Sequence, residues 1–176
     1  MWLKATIRTA GYAPEPVAGR SPMSPDEPDE RLIRQAEGGN AQAFEKLSTR
    51  YDEAILALLL MLTSSQQEAL ELCHATLIAA YQGLARRKTE SLYIWLYRLA
   101  AAQWLEWAKK EAARTQSAAE TVGQLSARER LVFTLKADQH LALRTVAQIL
   151  DASEETVART FSRAVCKLQL SARKAG

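Results

Sequence analysis

From Asp29 almost to the end of this chain, apolar residues return every three or four positions, and no stretch alternates long enough to suggest a strand. The pattern predicts an all-α protein. Leu32, Ile33 and Ala36 make a short stripe that Asp29 can cap and Gly38-Gly39 can end. Asn40 then opens a longer helix, in which Phe44, Leu47, Tyr51, Ile55, Leu58 and Leu62 form a single apolar line. In the next segment Ser65-x-x-Glu68 reads as a capping box, and Leu70, Cys73, Leu77, Ala80 and Leu84 supply the expected buried face. After a basic loop, Ser91 can cap a fourth helix rich in aromatics: Tyr93, Trp95, Tyr97, Trp104 and Trp107.

The periodicity stops at RTQSAAETVGQ, a small, polar stretch containing Gly123. It divides the chain into a leader at 1–28, a first helical domain at 29–112, a linker at 113–124 and a second helical domain at 125–172. The second domain opens with another capping box, Ser126-x-x-Glu129, ahead of Leu131, Val132 and Leu135. Two short apolar stripes follow, Val146-Ala147-Leu150 and Val157-Phe161-Ala164-Leu168, separated by Asp151-Ala152-Ser153. Two helices across a three-residue turn, with a small residue at Ala147 and Ser153 as cap, form a helix-turn-helix pattern. An ordinary helical pair would look similar; the arginines of the second helix favour DNA.

Charge adds to this only through its distribution. The 23 Lys+Arg against 20 Asp+Glu leave a small positive excess. Arg86, Arg87, Lys88, Arg98, Lys109, Lys110 and Arg114 nevertheless outnumber the three acids between 86 and 114, and the tail from Leu125 is also basic. Cys73 and Cys166 have no paired spacing, and His74 and His140 have no ligand partner, so neither a disulfide framework nor a metal site is expected. No cofactor is implied, and the absence of a phosphate loop or a nucleophile-base set argues against an enzyme. The leader MWLKATIRTAGYAPEPVAGRSPMSPDEPDE has no continuous apolar core and reads as disordered, with no membrane insertion and a cytoplasmic location expected.

Three segments in this order, RLIRQAEGGNAQAFEKLSTRY, YIWLYRLAAAQWLEWAKK and LSARERLVFTLKADQHLALRTVAQILDASEETVARTFSRA, resemble the extracytoplasmic function class of sigma-70 factors. The resemblance spans about Asp29 to Leu170. It implies a sigma region 2-like helical bundle, a flexible linker and a sigma region 4-like helix-turn-helix domain, with core RNA polymerase (its clamp helices and flap) and promoter DNA as partners. Glu154, Glu155, Thr156, Arg159 and Arg163 would face the minus-thirty-five element. Arg86, Arg87, Lys88, Arg98, Lys109 and Lys110 would serve the minus-ten element, and Glu68, Glu71 and His74 would lie at the polymerase contact. For Trp95, Trp104 and Trp107, core packing competes with base stacking, and core packing is favoured.

The chain departs from the family pattern where polymerase would be held. Leu70, His74 and Ala75 stand in place of an acid, Gln and Glu; Ala101-Ala102 replace Arg-Asn; and Ala158-Arg159-Thr160 replace Lys-Ser-Arg. Three readings follow. The contact has drifted and weakened; or phosphorylation of Thr63, Ser64 or Ser65 by a Ser/Thr kinase restores the missing negative charge; or the protein is a sigma-like DNA-binding regulator or adaptor that does not bind core polymerase. An anti-sigma factor is a further candidate partner.

Overall fold

A computed structural model of the chain describes residues 29–87, 91–114 and 125–174. The expected leader, Lys88 and most of the expected linker lie outside the described residues. Helix α1 (Asp29–Glu37) ends at Gly39, whose φ of 89° is the left-handed geometry that glycine adopts without strain. Asn40 then caps α2 (Ala41–Ser48), its side-chain oxygen accepting from the Ala43 amide at 3.2 Å.

The single helix expected after Asn40 is two. It breaks at Ser48-Thr49, and α3 (Asp52–Leu62) resumes beyond Tyr51. The hydroxyls of Ser48 and Thr49 both donate back to the Glu45 carbonyl, at 3.0 and 2.9 Å, which satisfies the end of α2 without another turn. Arg50 and Tyr51 then reach the Asp29 carboxylate, the guanidinium as an ion pair and the phenol as a donor. Asp29 therefore ties α1 to the α2–α3 joint. Leu47, Tyr51, Ile55, Leu58 and Leu62 all remain buried, because the break keeps the apolar stripe in phase.

Helix α4 (Gln66–Gly83) starts with the expected capping box: the Ser65 hydroxyl accepts from the Glu68 amide, and the Glu68 carboxylate accepts from the Ser65 amide, each at 3.2 Å. Its buried face is Ala69, Leu72, Cys73, Thr76 and Ala80, so Leu70 and Leu77, expected inside, are only half-buried. Small residues decide this rotation by letting α4 lie close to its neighbours. Thr76 is admitted because its hydroxyl donates to the Leu72 carbonyl at 2.7 Å. At the far end, a Cβ on Gly83 would stand 3.3 Å from the Trp95 ring. A 3-10 turn, Leu84–Arg86, completes the element.

Helix α5 (Leu92–Arg114) runs slightly past the expected domain boundary and packs on both α3 and α4. Trp104 is fully buried, and its indole N–H donates to the Leu62 carbonyl at 3.2 Å. Trp95 is buried and Trp107 half-buried against the same core, so packing accounts for these aromatics.

The second unit begins with α6 (Ala127–Phe133), which widens into a π-turn at Thr134–Asp138. Helix α7 (Leu143–Leu150) follows, and then α8 (Glu154–Lys174). The Ser126–Glu129 capping box forms, and the buried Glu129 carboxylate also receives Lys167 of α8 at 2.8 Å. Between α7 and α8, Asp151 takes the left-handed position (φ 47°) that a glycine often fills. Helix α7 packs on both α8 and α5, and the π-turn reaches α3, so one apolar core runs through both units.

Candidate nucleic-acid and polymerase interfaces

The start of α8 is an exposed polar face. Ser153 accepts from the Thr156 amide at 3.2 Å, and the two hydroxyls share a second bond at 2.8 Å. Glu154, Glu155, Thr156, Arg159 and Arg163 are all exposed, while Val157 and Ala164 turn inward. Arg159 and Arg163 lie four residues apart and share a side. Arg159 also donates to Glu155 at 2.9 Å, which aims its guanidinium toward the start of the helix. This arrangement offers donors that can grip a guanine edge or a phosphate.

Of the six basic residues expected at the minus-ten element, the five that are described, all but Lys88, do not form one patch. Arg86 and Arg87 lie at the turn before α5, and Lys109 and Lys110 near its other end. From Leu92 to Lys109 the axis advances about 25 Å at the usual rise. Lys109 pairs with Glu106 and Arg114 with Glu111, the hydrogen bonds from these cations holding both carboxyls below their ordinary range. Arg98, midway, is half-buried and donates to the Gln148 carbonyl of α7 at 2.8 Å.

On α4 the expected contact residues Glu68, Glu71 and His74 sit with Ile78 at spacings of three and four. Glu68 is engaged in the cap, Glu71 accepts from Gln67 at 2.8 Å, and His74 is exposed. Ile78 is 58% and Tyr81 46% exposed, with Phe44 packed edge-on to Tyr81 at 5.1 Å. Tyr81 and Phe44 were not among the expected contact residues; a large aromatic displaced from the buried stripe was the available signal. At the start of the same helix, Thr63 donates to the Leu59 carbonyl at 2.8 Å, Ser65 is engaged in the cap, and Ser64 is exposed.

Among the described residues no group of His, Cys, Asp and Glu could hold a metal ion, and no helix is long and apolar enough to cross a membrane. Burial, reinforced by Asp52, pushes the Cys73 thiol up, which disfavours the thiolate.

No protein-family profile matches the chain. Over 79 residues it is 33% identical to the RNA polymerase sigma-H factor of Pseudomonas aeruginosa, a stretch covering 44% of this chain and 41% of that protein. The chain thus matches less than half the length of that relative. Two solved structures share its fold. CnrH, in complex with the cytosolic domain of CnrY, has a TM-score of 0.65 at 24% identity, covering 84% of this chain and 99% of CnrH. The sigma factor RpoE of Bartonella quintana, in complex with the anti-sigma factor NepR, has a TM-score of 0.60 at 19% identity, covering 73% and 96%. The architecture is the all-helical fold shared with these two structures. The chain therefore combines the fold of these two structures with a sequence likeness, over 79 residues, to the sigma-H factor.

Proposed function

We propose that the chain is an RNA polymerase sigma factor of the extracytoplasmic function type, acting in the cytoplasm by binding alone. The observation that carries this reading is the exposed arginine face of α8, set on a helix-turn-helix in the same chain as the α1–α5 bundle. Arg159 and Arg163, with Glu154, Glu155 and Thr156, read the minus-thirty-five element, with α8 lying in the major groove. Arg86, Arg87, Lys88, Arg98, Lys109 and Lys110 serve the minus-ten strand, and Glu68, Glu71 and His74, extended by Ile78 and Tyr81, meet the polymerase clamp. The domain division at 113–124 separates the two tasks. An anti-sigma factor fits as a regulator, since RpoE is held by one.

The thin charge on α4 supports a further step, activation by a Ser/Thr kinase. Phosphate on the exposed Ser64 would add roughly 1.5 to 2 negative charges at a helix start. Thr63 and Ser65 already use their hydroxyls, so Ser64 is the favoured position of the three. In the test, core polymerase is mixed with the purified chain before and after kinase treatment, and transcription from a responsive promoter is followed. Co-elution with polymerase supports the sigma reading; a Ser64→Ala variant still activated by the kinase removes Ser64 as the switch. A chain that binds DNA but never polymerase is a sigma-like regulator or adaptor.

A further inference from the structure

Arg98 is the one candidate minus-ten cation in the middle of α5, and its guanidinium is already used. It donates at 2.8 Å to the carbonyl of Gln148, in the last turn of α7, which otherwise accepts only a longer bond, 3.4 Å, from the Asp151 amide of the helix cap. A cation is also favoured there by the helix dipole. Around this bond α7 packs along α5, and the buried side chains of both belong to one core. Ala101, one turn from Arg98 on α5, is only 2% exposed. At a second point of the seam the Gln139 amide approaches the Met61 sulfur of α3 at 3.5 Å. The polar start of α8 remains open to solvent.

We infer that the Arg98 side of α5 is a docking surface for α7 of the same chain, and that this intramolecular contact competes with single-stranded nucleic acid for α5. The inference rests on the nucleic-acid reading of α5 given above. In the free protein the duplex-reading face of α8 is available, while the Arg98 stretch of α5 is covered and Lys109 and Lys110 near its end stay exposed. Capture of the strand therefore requires the seam between α5 and α7 to open. The affinity for single strands is scaled down to the fraction of molecules that are open.

The seam can be locked reversibly. In the full chain carrying Met61→Cys, Gln139→Cys and Cys166→Ser, a short thiol-cleavable bis-maleimide should join the two cysteines in high yield without any partner. Binding of the locked chain to a mixed-sequence single-stranded oligonucleotide, read by fluorescence anisotropy, should be at least about tenfold weaker than after cleavage of the linker. A yield no better than that of a control pair, Gln82→Cys with the native Cys166, would show that the free chain is not closed. Equal affinity before and after cleavage, or no binding in either state, would remove the competition. Co-elution of the unlocked chain with core polymerase, measured alongside, reports separately on the sigma reading.

Discussion

Helices α4 and α8 begin alike and finish differently. Each starts at a serine whose hydroxyl accepts from an amide three residues on. Beyond that cap, α8 presents Glu154, Glu155, Arg159 and Arg163 to solvent, whereas α4 presents Glu68, Glu71 and His74 followed by Ile78 and Tyr81. A charged face with arginines one turn apart suits a polyanion, whose contacts are made by charge and hydrogen bonds. A face with two large apolar side chains and few charges suits another protein, where buried aromatic and aliphatic anchors dominate. The same capping chemistry thus starts two helices whose outer faces differ in kind, one charged and one with large apolar side chains.

The largest way to break this comparison is to remove the core that carries α4. Trp104→Ala should cost about 3–5 kcal/mol of stability, because it opens a cavity and leaves the Leu62 carbonyl without its indole donor. Urea unfolding measures it, and a loss under about 1 kcal/mol would mean that α3 and α5 are not packed as described.

Two surface variants should separate the partners. Arg159→Ala should weaken duplex promoter binding by about 1–3 kcal/mol and leave affinity for core polymerase unchanged. Ile78→Asp should do the reverse, weakening polymerase binding by about 1–2 kcal/mol with duplex binding intact. Paired titrations against DNA and polymerase check both, and a variant that weakens both partners equally would erase the contrast between the helices.

A smaller effect belongs to the support of α8. Burial raises the proton affinity of Glu129, but hydrogen bonds from Lys167 and Ser126 outweigh it and leave the carboxyl net below its ordinary range. A lowered folded pKa means that its stabilisation is present above the unfolded value of about 4.3 and is lost as pH falls through the folded value. Thermal melts of the chain should therefore lose stability on acidification below that point, and Glu129→Gln should flatten the slope. An unchanged slope would assign the acid sensitivity elsewhere. Smallest of all, Glu155→Gln should cost about 0.3–0.5 kcal/mol of helix stability, since an exposed pair four residues apart is worth no more.

Much of this was legible in the residues. The helical period identified the fold class, the two capping boxes marked the starts of α4 and α6, and the small-residue turn located the helix-turn-helix. Other features depended on contacts distant in sequence. The break at Ser48-Thr49 is stabilised by Asp29, more than a full helix earlier in the chain, and no local pattern announces that pairing. The rotation of α4 follows from how closely Ala69, Thr76 and Ala80 let it approach its neighbours, so a stripe chosen for large side chains missed it. Arg98 read as a nucleic-acid contact by its charge alone; its partner is a backbone carbonyl fifty residues away, invisible to any side-chain pattern.

The central claim is that one chain joins polymerase through α4 to promoter DNA through α8. Its most direct test is sedimentation of the labelled, kinase-treated chain with purified core polymerase, repeated with Ile78→Asp. Saturable co-sedimentation that the substitution weakens is the expected result. A chain that sediments alone at every polymerase concentration, while still binding duplex DNA, would contradict it.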